Sequence, residues 1–461
     1  MTARPPGVAP AALEARRVRR LVAGAAIGNW VEWFDWYVYA AMALYFAPVF
    51  FPKGDATAQL LNAAAVFAVG FLMRPLGGWL LGLYADRNGR KSALTLSIGL
   101  MSIGSLMIAL TPGYAQIGVA APALLVLARL VQGLSVGGEY GATATYISEV
   151  ATPARRGFFA SFQGVTGILG QLTAMAVLVL LQQVLMTRAQ LEAWGWRIPF
   201  VVGAGSAIVA LVLRRRLEET PSFIRAQHDR AERAGASAPL AAASVQTPPG
   251  APPTPAAREE YGWRALRHYP REVAIVVGLT LGGIVSFYTY TTYAQKFLVN
   301  TAGLSREAAT AVSAATLFLF VLIQPAMGAL SDRIGRRPLL VGFSLVGSLI
   351  TVPLMTALST ARDPWMAAAL ILLALLVISG YTSINGVVKA ELFPTRVRAV
   401  GVGLPYALTV SIFGGTTEYL ALRLKDAGHE SMFYWYVSGC LLVSLCAVML
   451  MTDTRDRDLD A

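Results

Sequence analysis

Long apolar stretches alternate with short polar ones along the whole chain, and this pattern is the first guide to its fold. Most of the apolar stretches approach or exceed ~20 residues, the length that an α-helix needs to cross the hydrocarbon core of a bilayer. We therefore predict an all-α membrane protein with twelve transmembrane helices. The predicted spans are residues 21–48, 59–84, 92–112, 120–148, 158–184, 198–213, 273–297, 308–330, 338–358, 365–388, 400–422 and 431–451.

The polar segments divide these spans into two halves. A basic N-terminal segment, 1–20, precedes a first half of six spans at 21–213, and a second half of six spans at 273–451 is followed by a short tail, 452–461. The one long polar stretch, 214–272, lies between the halves and is rich in Ala and Pro at its centre. Such a composition cannot form a packed core. We therefore predict a flexible linker there.

Composition and charge exclude several protein classes. Hydrophobic residues make up 56% of the chain and charged residues only 14%, against about 25% charged in an average soluble domain. This excludes a disordered chain, a disulfide-rich secreted module and an ordinary soluble enzyme. A net charge of +12 also occurs in nucleic-acid binders, but a bias of basic residues toward cytoplasmic loops explains it better.

The distribution of basic residues predicts the orientation in the membrane. If both termini and the linker are cytoplasmic, 28 of the 38 Lys and Arg residues fall on the cytoplasmic side and 7 in the outer loops. This count assigns Lys389 to the cytoplasmic end of the tenth predicted span. The positive-inside rule then favours cytoplasmic termini.

Two sequence motifs occur once in each half. The segment 82–91, Gly-x-x-x-Asp-Arg-x-Gly-Arg-Lys, recurs 246 residues later at 328–337 with Arg as its last residue, and the segment 149–155 has a counterpart at 391–396, 242 residues later. Two duplicated motifs at nearly one offset indicate a duplicated transporter fold.

These motifs carry a resemblance to a known group of proteins. The doubled Gly-x-x-x-Asp-Arg-x-Gly-Arg loop resembles the signature of the major facilitator superfamily, and the similarity covers essentially the whole chain outside the linker. The segment 129–139 resembles the proton-linked motif of that superfamily. The segments 32–35, 74–78 and 194–200 resemble the metabolite:proton symporter family. Within that family, the runs LSVGGEYG and FYTYTTYAQKFLVNTAG are most similar to its permeases for 2-oxoglutarate (alpha-ketoglutarate).

The resemblance implies a function. It implies two six-helix halves that move about a central site by alternating access and import a dicarboxylate with protons across the inner (plasma) membrane of a bacterium. The expected partners are a small organic acid, protons and the lipid bilayer, and the expected driving force is the proton gradient. We expect no cofactor, no metal, no nucleic acid and no enzymatic reaction, and we expect a monomer.

Two alternatives stay open. One is a symporter of the same family for citrate, shikimate or an osmolyte such as proline or betaine. The short tail argues against an osmolyte carrier, because such carriers tend to bear a long charged C-terminal extension. The other alternative is a membrane sensor that binds the metabolite without moving it, and the Ala/Pro-rich linker is a poor signalling domain.

Ionisable residues inside predicted spans are candidates for function, because each is costly in lipid unless it is paired. They are Glu32, Asp35, Arg74, Arg129, Glu139, Lys296 and Glu418. Glu32 and Asp35 are three residues apart and share a helix face. Burial disfavours a charged carboxyl group and a nearby cation favours it, and this competition suits proton coupling. The alternative is a structural ion pair. The resemblance pairs Asp35 with Arg129 for proton coupling.

Arg74 is the first candidate for substrate binding. Its guanidinium group offers a planar fork of donors that suits a carboxylate, and Pro75 interrupts the helix beside it. The alternative is a bridge to Glu32. Lys296, one turn beyond Tyr293 in a Tyr-rich run that also contains Tyr290, is a second candidate cation. Here the alternative is an interfacial aromatic belt with a snorkelling lysine.

Arg197, in an outer loop beside two Trp residues, is either a snorkelling side chain or a cation that attracts anions to the outer mouth. The resemblance points to a role in transport for Arg197 and for Arg90. The charged residues of the repeated loops are predicted to form gates rather than to contact substrate. The gating set is Asp86, Arg90, Asp332 and Arg336, with Glu149 and Glu391 as partners at neighbouring helix ends.

Overall fold

The computed structural model describes residues 11–52, 56–215, 265–455 and 457, and this part of the chain is almost entirely helical. Spans one to six are Ala11–Phe50, Ala56–Leu72 continued by Arg74–Asn88, Arg90–Leu110, Ala120–Val150, Arg156–Leu180 and Ile198–Arg215. Spans seven to twelve are Pro270–Tyr288 continued by Thr289–Tyr293 and Ala294–Asn300, Arg306–Ile334, Arg336–Ser359, Pro364–Thr382 continued by Asn385–Leu392, Arg398–Thr409 continued by Val410–Gly414 and Gly415–Asp426, and Glu430–Met449.

Short helical turns complete the described chain. They are Tyr114–Ile117, Pro153–Arg155, Leu181–Leu185, Arg188–Ala193, Gly195–Arg197 and Ala265–His268.

The architecture confirms the predicted twelve-span fold. Within the described residues, ten helical stretches are long and apolar enough to cross a membrane. They coincide with ten of the predicted spans, and the other two predicted spans lie within helices Ala11–Phe50 and Ile198–Arg215. Residues 1–10 and most of the predicted linker, 216–264, lie outside the described residues.

The two halves pack against each other along two seams. Spans two and four pack against span eleven, and span five packs against span eight. The repeated loops lie at one end of the bundle, which we call the motif face, at Gly89 and Gly335. Both glycines have positive φ angles, 95° and 100°, a conformation that costs a glycine little. The sequence repeat is therefore also a repeat of backbone structure.

Four of the spans that surround the centre of the bundle are interrupted. Span two breaks at Met73, span ten at Ser383 and Ile384, and spans seven and eleven contain π-helical turns. Irregular helices often mark the binding sites of transporters, because they present backbone and side-chain polar groups to a cavity. The interruptions thus point to the centre of the bundle as the site.

The break in span two joins the halves. Pro75 has no N–H group to donate to the carbonyl oxygen of Phe71, one turn earlier. The hydroxyl of Ser411, in the π-helical turn of span eleven, donates a hydrogen bond to that oxygen instead. A backbone group freed by proline in one half is therefore satisfied by the other half.

Candidate functional site

A cavity with about 660 Å³ of empty space lies between the two halves. Spans one, four and five line it from the first half, and spans seven, ten and eleven from the second. Its lining is mainly aromatic with a few polar groups, as is typical of a small-molecule site. The lining residues are Trp33, Tyr37, Tyr140, Gln163, Gly164, Gly167, Ile168, Gly283, Ile284, Phe287, Tyr288, Tyr381, Thr382, Asn385 and Tyr406.

Arg74 is buried beside this cavity, and close packing of spans two and four fixes its backbone. Gly137 lies directly against the backbone of Arg74, where any larger residue would collide with it. The guanidinium carbon lies 4.1 Å from the ring centre of Phe71 and 4.3 Å from that of Trp36. Aromatic faces stabilise a guanidinium group without using its N–H donors.

The donors of Arg74 are only partly used. Its Nε and Nη2 atoms are buried and have no hydrogen-bond partner among the described residues. The guanidinium group interacts electrostatically with the phenol groups of Tyr37 and Tyr406, both of which line the cavity. No ion pair to Glu32 is found among the described contacts of Arg74. An anion in the cavity would therefore meet a cation with unused donors just behind the aromatic wall.

Asp35 and Arg129 lie in the interior of the first half. The Asp35 side chain is fully buried, with Ser105 of span three beside it. The Arg129 Nη1 atom donates to the Gln132 side-chain oxygen at 2.7 Å, and the Gln132 nitrogen donates to the Ser105 hydroxyl at 2.9 Å. The hydrogen bonds through Gln132 and Ser105 thus lead from the predicted cation towards the predicted proton carrier, whose own carboxylate oxygens have no hydrogen-bond partner among the described residues.

The packing around these two charges is tight. Gly203 of span six faces the Asp35 carboxylate so closely that an added methyl group would overlap it. The Arg129 guanidinium carbon lies 4.1 Å from the ring centre of Trp36 and 4.5 Å from that of Tyr39. This environment is fully buried and has little room for rearrangement.

Glu32 faces a different neighbour from Asp35. Its side chain is buried and forms a 3.0 Å hydrogen bond with the Ser135 hydroxyl of span four. The Glu139 side chain, further along span four, lies outside the described residues.

The other predicted cations lie away from the cavity. Lys296 pairs with Glu418 across spans seven and eleven, and half of its side chain is exposed. Tyr290 hydrogen-bonds the Thr351 hydroxyl at 3.3 Å, and Tyr293 packs against Phe297 and Phe433. Of the tyrosines in this run, Tyr288 is the one that lines the cavity. Substrate binding by Lys296, Tyr290 and Tyr293 stays a prediction.

Arg197 secures a helix end. Its Nε and Nη2 atoms donate to the carbonyl oxygens of Ala109 and Thr111 at 3.0 and 3.1 Å, where span three ends, and its guanidinium group stacks on Trp196. Cations at this position stabilise helix C-termini. The described contacts of Arg197 are thus structural, and its role in transport stays a prediction.

A cation that the sequence analysis counted at the cytoplasmic end of the tenth span lies beside the cavity. Lys389 is in helix Asn385–Leu392 and fully buried, so the predicted end of that span at residue 388 was too early. Its Nζ atom donates to the hydroxyls of Tyr381 and Tyr140 at 3.1 and 3.2 Å and to the Asn385 side-chain oxygen at 3.3 Å. These three partners line the cavity.

At the motif face, a carboxylate of the second half holds a helix of the first. The Asp332 oxygens accept hydrogen bonds from the backbone N–H groups of Gly157 and Phe158 at 2.8 and 2.9 Å, at the start of span five. Arg336 donates to Asp332 at 2.7 Å. A carboxylate at a helix N-terminus is stabilised by the helix dipole.

Two ion pairs cross between the halves at the same face. Arg398 of span eleven pairs with Glu149 of span four at 2.7 Å, and Arg156 of span five lies 3.5 Å from Glu391 of span ten. Arg336 also contacts Glu391, at 3.4 Å. The predicted gating set did not include Arg156 and Arg398, although both follow the duplicated segments that supply the two glutamates.

The remaining predicted gate residues are partly described. Asp86 is buried at the motif face, beside span eleven, and the side chain of Arg90 lies outside the described residues. The first glycine of each repeated loop lies against a helix of the other half, Gly82 against Val400 and Gly328 against Gly157. The motif face is therefore closed in this structure.

The described residues offer no obvious metal site. Among them, no group of three or more His, Cys, Asp and Glu side chains is placed to hold a metal ion.

The chain was compared with known protein families and proteins. Residues 21–460 match the family model described as "Sugar (and other) transporter". The chain is 50% identical over 436 residues to the alpha-ketoglutarate permease of Escherichia coli (strain K12), covering 95% of this chain and 94% of that protein. It is 33% identical over 433 residues to the citrate-proton symporter of Salmonella typhi, with 92% of each covered. It is 31% identical over 444 residues to the proline/betaine transporter of Salmonella typhimurium, covering 96% of this chain and 85% of that protein.

Solved structures show the same fold. The proton:xylose symporter XylE, of the major facilitator superfamily, superposes with a TM-score of 0.75 at 19% identity, covering 97% of this chain and 98% of XylE. FucP superposes with a TM-score of 0.63 at 14% identity, covering 94% of this chain and all of FucP. These likenesses confirm the predicted major facilitator fold.

Proposed function

Because this chain belongs to the sugar (and other) transporter family of the major facilitator superfamily, we propose that it is a proton-coupled symporter of dicarboxylates. It imports its substrate by alternating access, and 2-oxoglutarate is the substrate that we propose. The relative that shares half of its residues with this chain is a permease for that acid.

The proposal rests on one observation: Arg74 is buried, and two of its nitrogen atoms have no hydrogen-bond partner among the described residues. A buried guanidinium group with unused N–H donors is costly unless a ligand completes its hydrogen bonds. Arg74 lies beside a cavity between the two halves, which is where alternating access requires the substrate to bind. A carboxylate fits the planar donor fork of an arginine. The substrate is therefore an acid whose carboxylate binds at Arg74.

Proton coupling is proposed for Asp35 with Arg129. Asp35 is buried in the first half beside Ser105, to which hydrogen bonds lead from Arg129 through Gln132. A carboxyl group in such a place alternates between a neutral form, favoured by burial, and an ionised form, favoured by the cation. Glu32, three residues earlier, is the competing carrier. The inward proton gradient supplies the driving force.

The gates are proposed at the motif face, which we place on the cytoplasmic side. Opening would break the Glu149–Arg398 and Glu391–Arg156 pairs and would release Asp332 from the start of span five. Both walls of the cavity come from one chain, so a monomer suffices for transport. Cysteines introduced one at a time at 240–250 test the orientation. Labelling of these cysteines by an impermeant reagent in intact cells would place the linker outside.

Uptake into proteoliposomes tests the function. Purified protein should accumulate labelled 2-oxoglutarate when the outside is more acidic, and a protonophore should abolish that accumulation. Citrate, shikimate, proline and betaine form the comparison panel. Preferred uptake of one of these would replace the proposed substrate. Binding of 2-oxoglutarate without any uptake would indicate a sensor.

A further inference from the structure

The cluster around Lys389 is a second polar centre at the wall of the cavity, contributed mainly by the second half. Lys389 and Asn385 lie in the helix that follows the break in span ten, and Tyr381 lies in the helix before it. Tyr140 comes from span four of the first half, and its hydroxyl contacts the Asn385 side-chain oxygen. Every member of the cluster except the lysine itself lines the cavity.

The positive charge of Lys389 is balanced by no carboxylate among the described residues. Its three N–H donors are directed to two phenol oxygens and one amide oxygen, all neutral. Its Nζ atom also lies 4.3 Å from the ring centre of Tyr406. Burial of an ammonium group against neutral acceptors alone is expensive. A chain retains such a group where an anion completes the site.

Lys389 and Arg74 both lie near the same aromatic residue, Tyr406. The Lys389 Nζ atom lies 4.3 Å from the ring centre of Tyr406 and 5.2 Å from that of Tyr140, and the two rings stack with centres 3.5 Å apart. Arg74 interacts electrostatically with the Tyr406 phenol from the other half of the bundle. The two cations are thus held behind one stretch of cavity wall, Arg74 by span two and Lys389 by span ten.

We infer that Lys389, with the hydroxyls of Tyr140 and Tyr381 and the amide of Asn385, forms a second carboxylate subsite in addition to the one at Arg74. The inference rests on the proposed function and deepens it, since it assigns the two ends of a dicarboxylate to the two halves. One carboxylate binds the Arg74 guanidinium group. The other accepts hydrogen bonds at the Lys389 cluster.

This arrangement makes the protein selective for dianions. An acid with a single carboxylate can bind one cation and leaves the other buried without a partner. A zwitterion with one carboxylate leaves the same deficit and adds a cation beside it. The subsite thus explains a preference that Arg74 alone could not produce. It also joins the halves through the substrate, because the bound molecule spans the seam between them.

A comparison of two acids of equal length distinguishes binding at the Lys389 subsite from binding elsewhere in the cavity. 2-Oxoglutarate and 2-oxopentanoate differ in one end, which is a carboxylate in the first and a methyl group in the second. Calorimetry on the purified full-length protein gives the ratio of their dissociation constants. The wild type should prefer 2-oxoglutarate about 10- to 100-fold, as expected for one charge-assisted contact. Lys389→Met should reduce that preference to roughly threefold or less.

Lys425→Met is the matched control. Lys425 is a cation of the same half, and it binds the Asn300 carbonyl oxygen at 2.8 Å and lies 3.7 Å from Glu430, far from the cavity. This variant should keep the wild-type preference. Thermal melting monitored by circular dichroism shows whether each variant is folded. If Lys389→Met does not fold, Tyr381→Phe decides, because it removes only a hydroxyl and should reduce the preference roughly three- to tenfold.

The outcomes separate the two proposals. If the wild type discriminates between the acids and folded Lys389→Met discriminates equally well, the subsite is refuted and the proposed function stands. The same holds if the wild type binds both acids with equal affinity. If the wild type binds neither acid, the proposed substrate and the subsite fall together.

Discussion

The two halves of the bundle share one design at the motif face and differ in the interior. At the motif face, Glu149 of the first half pairs with Arg398 of the second, and Glu391 of the second lies beside Arg156 of the first. In the interior, the first half buries Asp35 with Arg129 nearby. Among the described residues, the interior of the second half contributes Lys389 and no acidic counterpart to Asp35.

The difference shows which charged residues must be present in both halves of a duplicated fold and which are needed in only one half. A gate that closes by bringing two similar halves together needs matching partners on both sides, so both copies keep the same charges. Proton coupling needs a single carrier, and one half suffices to supply it. Under the proposed function, the first half would therefore couple transport to protons, and both halves would bind the substrate.

The largest expected effect comes from removing the charge of the proton carrier. Asp35→Asn should abolish uphill accumulation of 2-oxoglutarate under an inward proton gradient, because the empty carrier can no longer release a proton. Exchange of labelled for unlabelled substrate should persist, since exchange requires no net proton release. Both rates are measured in the same proteoliposomes.

Glu32→Gln is the control for this prediction, since Glu32 lies one turn away on the same helix. It should retain accumulation. Loss of accumulation in Glu32→Gln with retention in Asp35→Asn would move the carrier to Glu32. If uphill accumulation instead required a carboxylate of the second half, the proton carrier would not distinguish the first half from the second.

The second prediction concerns the cation of the first half. Arg74→Gln should weaken 2-oxoglutarate binding by about 2–5 kcal/mol, the usual cost of removing one partner of a buried charge-assisted pair. Arg74→Lys should also bind poorly, because an ammonium group cannot reproduce the planar fork. Calorimetry on both variants checks this. Wild-type affinity in both would make Arg74 a purely structural residue.

The third prediction tests the symmetry of the gate. Glu149→Gln should destabilise closure of the motif face by about 1.5–3 kcal/mol, the contribution of a hydrogen bond to a charged group, because it neutralises the partner of Arg398. The readout is the labelling rate of Ser161→Cys, buried between spans five and eight, in a cysteine-free background. Glu192→Gln, exposed in a short helix, is the control. Unchanged labelling in Glu149→Gln would limit the gate to the contacts of Glu391 and Asp332.

The smallest expected effect arises from the packing around Asp35. Gly203→Ala places a methyl group where the Asp35 carboxylate lies, and such overpacking costs about 1–3 kcal/mol. Gly205→Ala is a matched control on the same helix, since its added methyl group meets open space. The melting temperature should fall in the first variant alone. Equal melting temperatures would show that Asp35 can move away from span six.

Much of this structure follows from local sequence. The spans are predictable because a run of about 20 apolar residues is a property of one segment and needs no knowledge of its neighbours. The positions of Glu149 and Glu391 at the contact between the halves were predictable because the duplicated segments place them at equivalent positions. Arg156 and Arg398 follow those segments and could have been found by extending the repeat a few residues.

Lys389 illustrates what local sequence does not contain. The predicted tenth span ended at residue 388, because a lysine normally lies outside the membrane. Its burial depends on the Tyr140 hydroxyl, 249 residues earlier in the chain, and on a break in the helix that no hydropathy pattern shows. A hydropathy score counts every lysine as unfavourable in a membrane span. It contains no information about a distant residue whose hydrogen bond stabilises the buried lysine.

The tyrosines of span seven show a second limit. Tyr288, Tyr290 and Tyr293 belong to one run, and a π-helical turn begins directly after the first of them. Even in a regular α-helix, which turns by about 100° per residue, Tyr290 and Tyr293 would point away from the face of Tyr288, and Tyr288 alone of the three lines the cavity. A run of tyrosines in the sequence therefore does not show which of them faces the cavity.

The hydrogen bond from Ser411 to the Phe71 carbonyl oxygen gives the protein a spectroscopic marker of its own conformation. Pro75 leaves that oxygen without a helical donor, so its other partner is water or the second half of the bundle. The stretching frequency of an amide carbonyl depends on its hydrogen bond. A heavy-isotope label on the Phe71 carbonyl would move its infrared band away from those of the other amides. One vibration, two residues before the break at Met73, would then report during turnover whether the two halves are in contact.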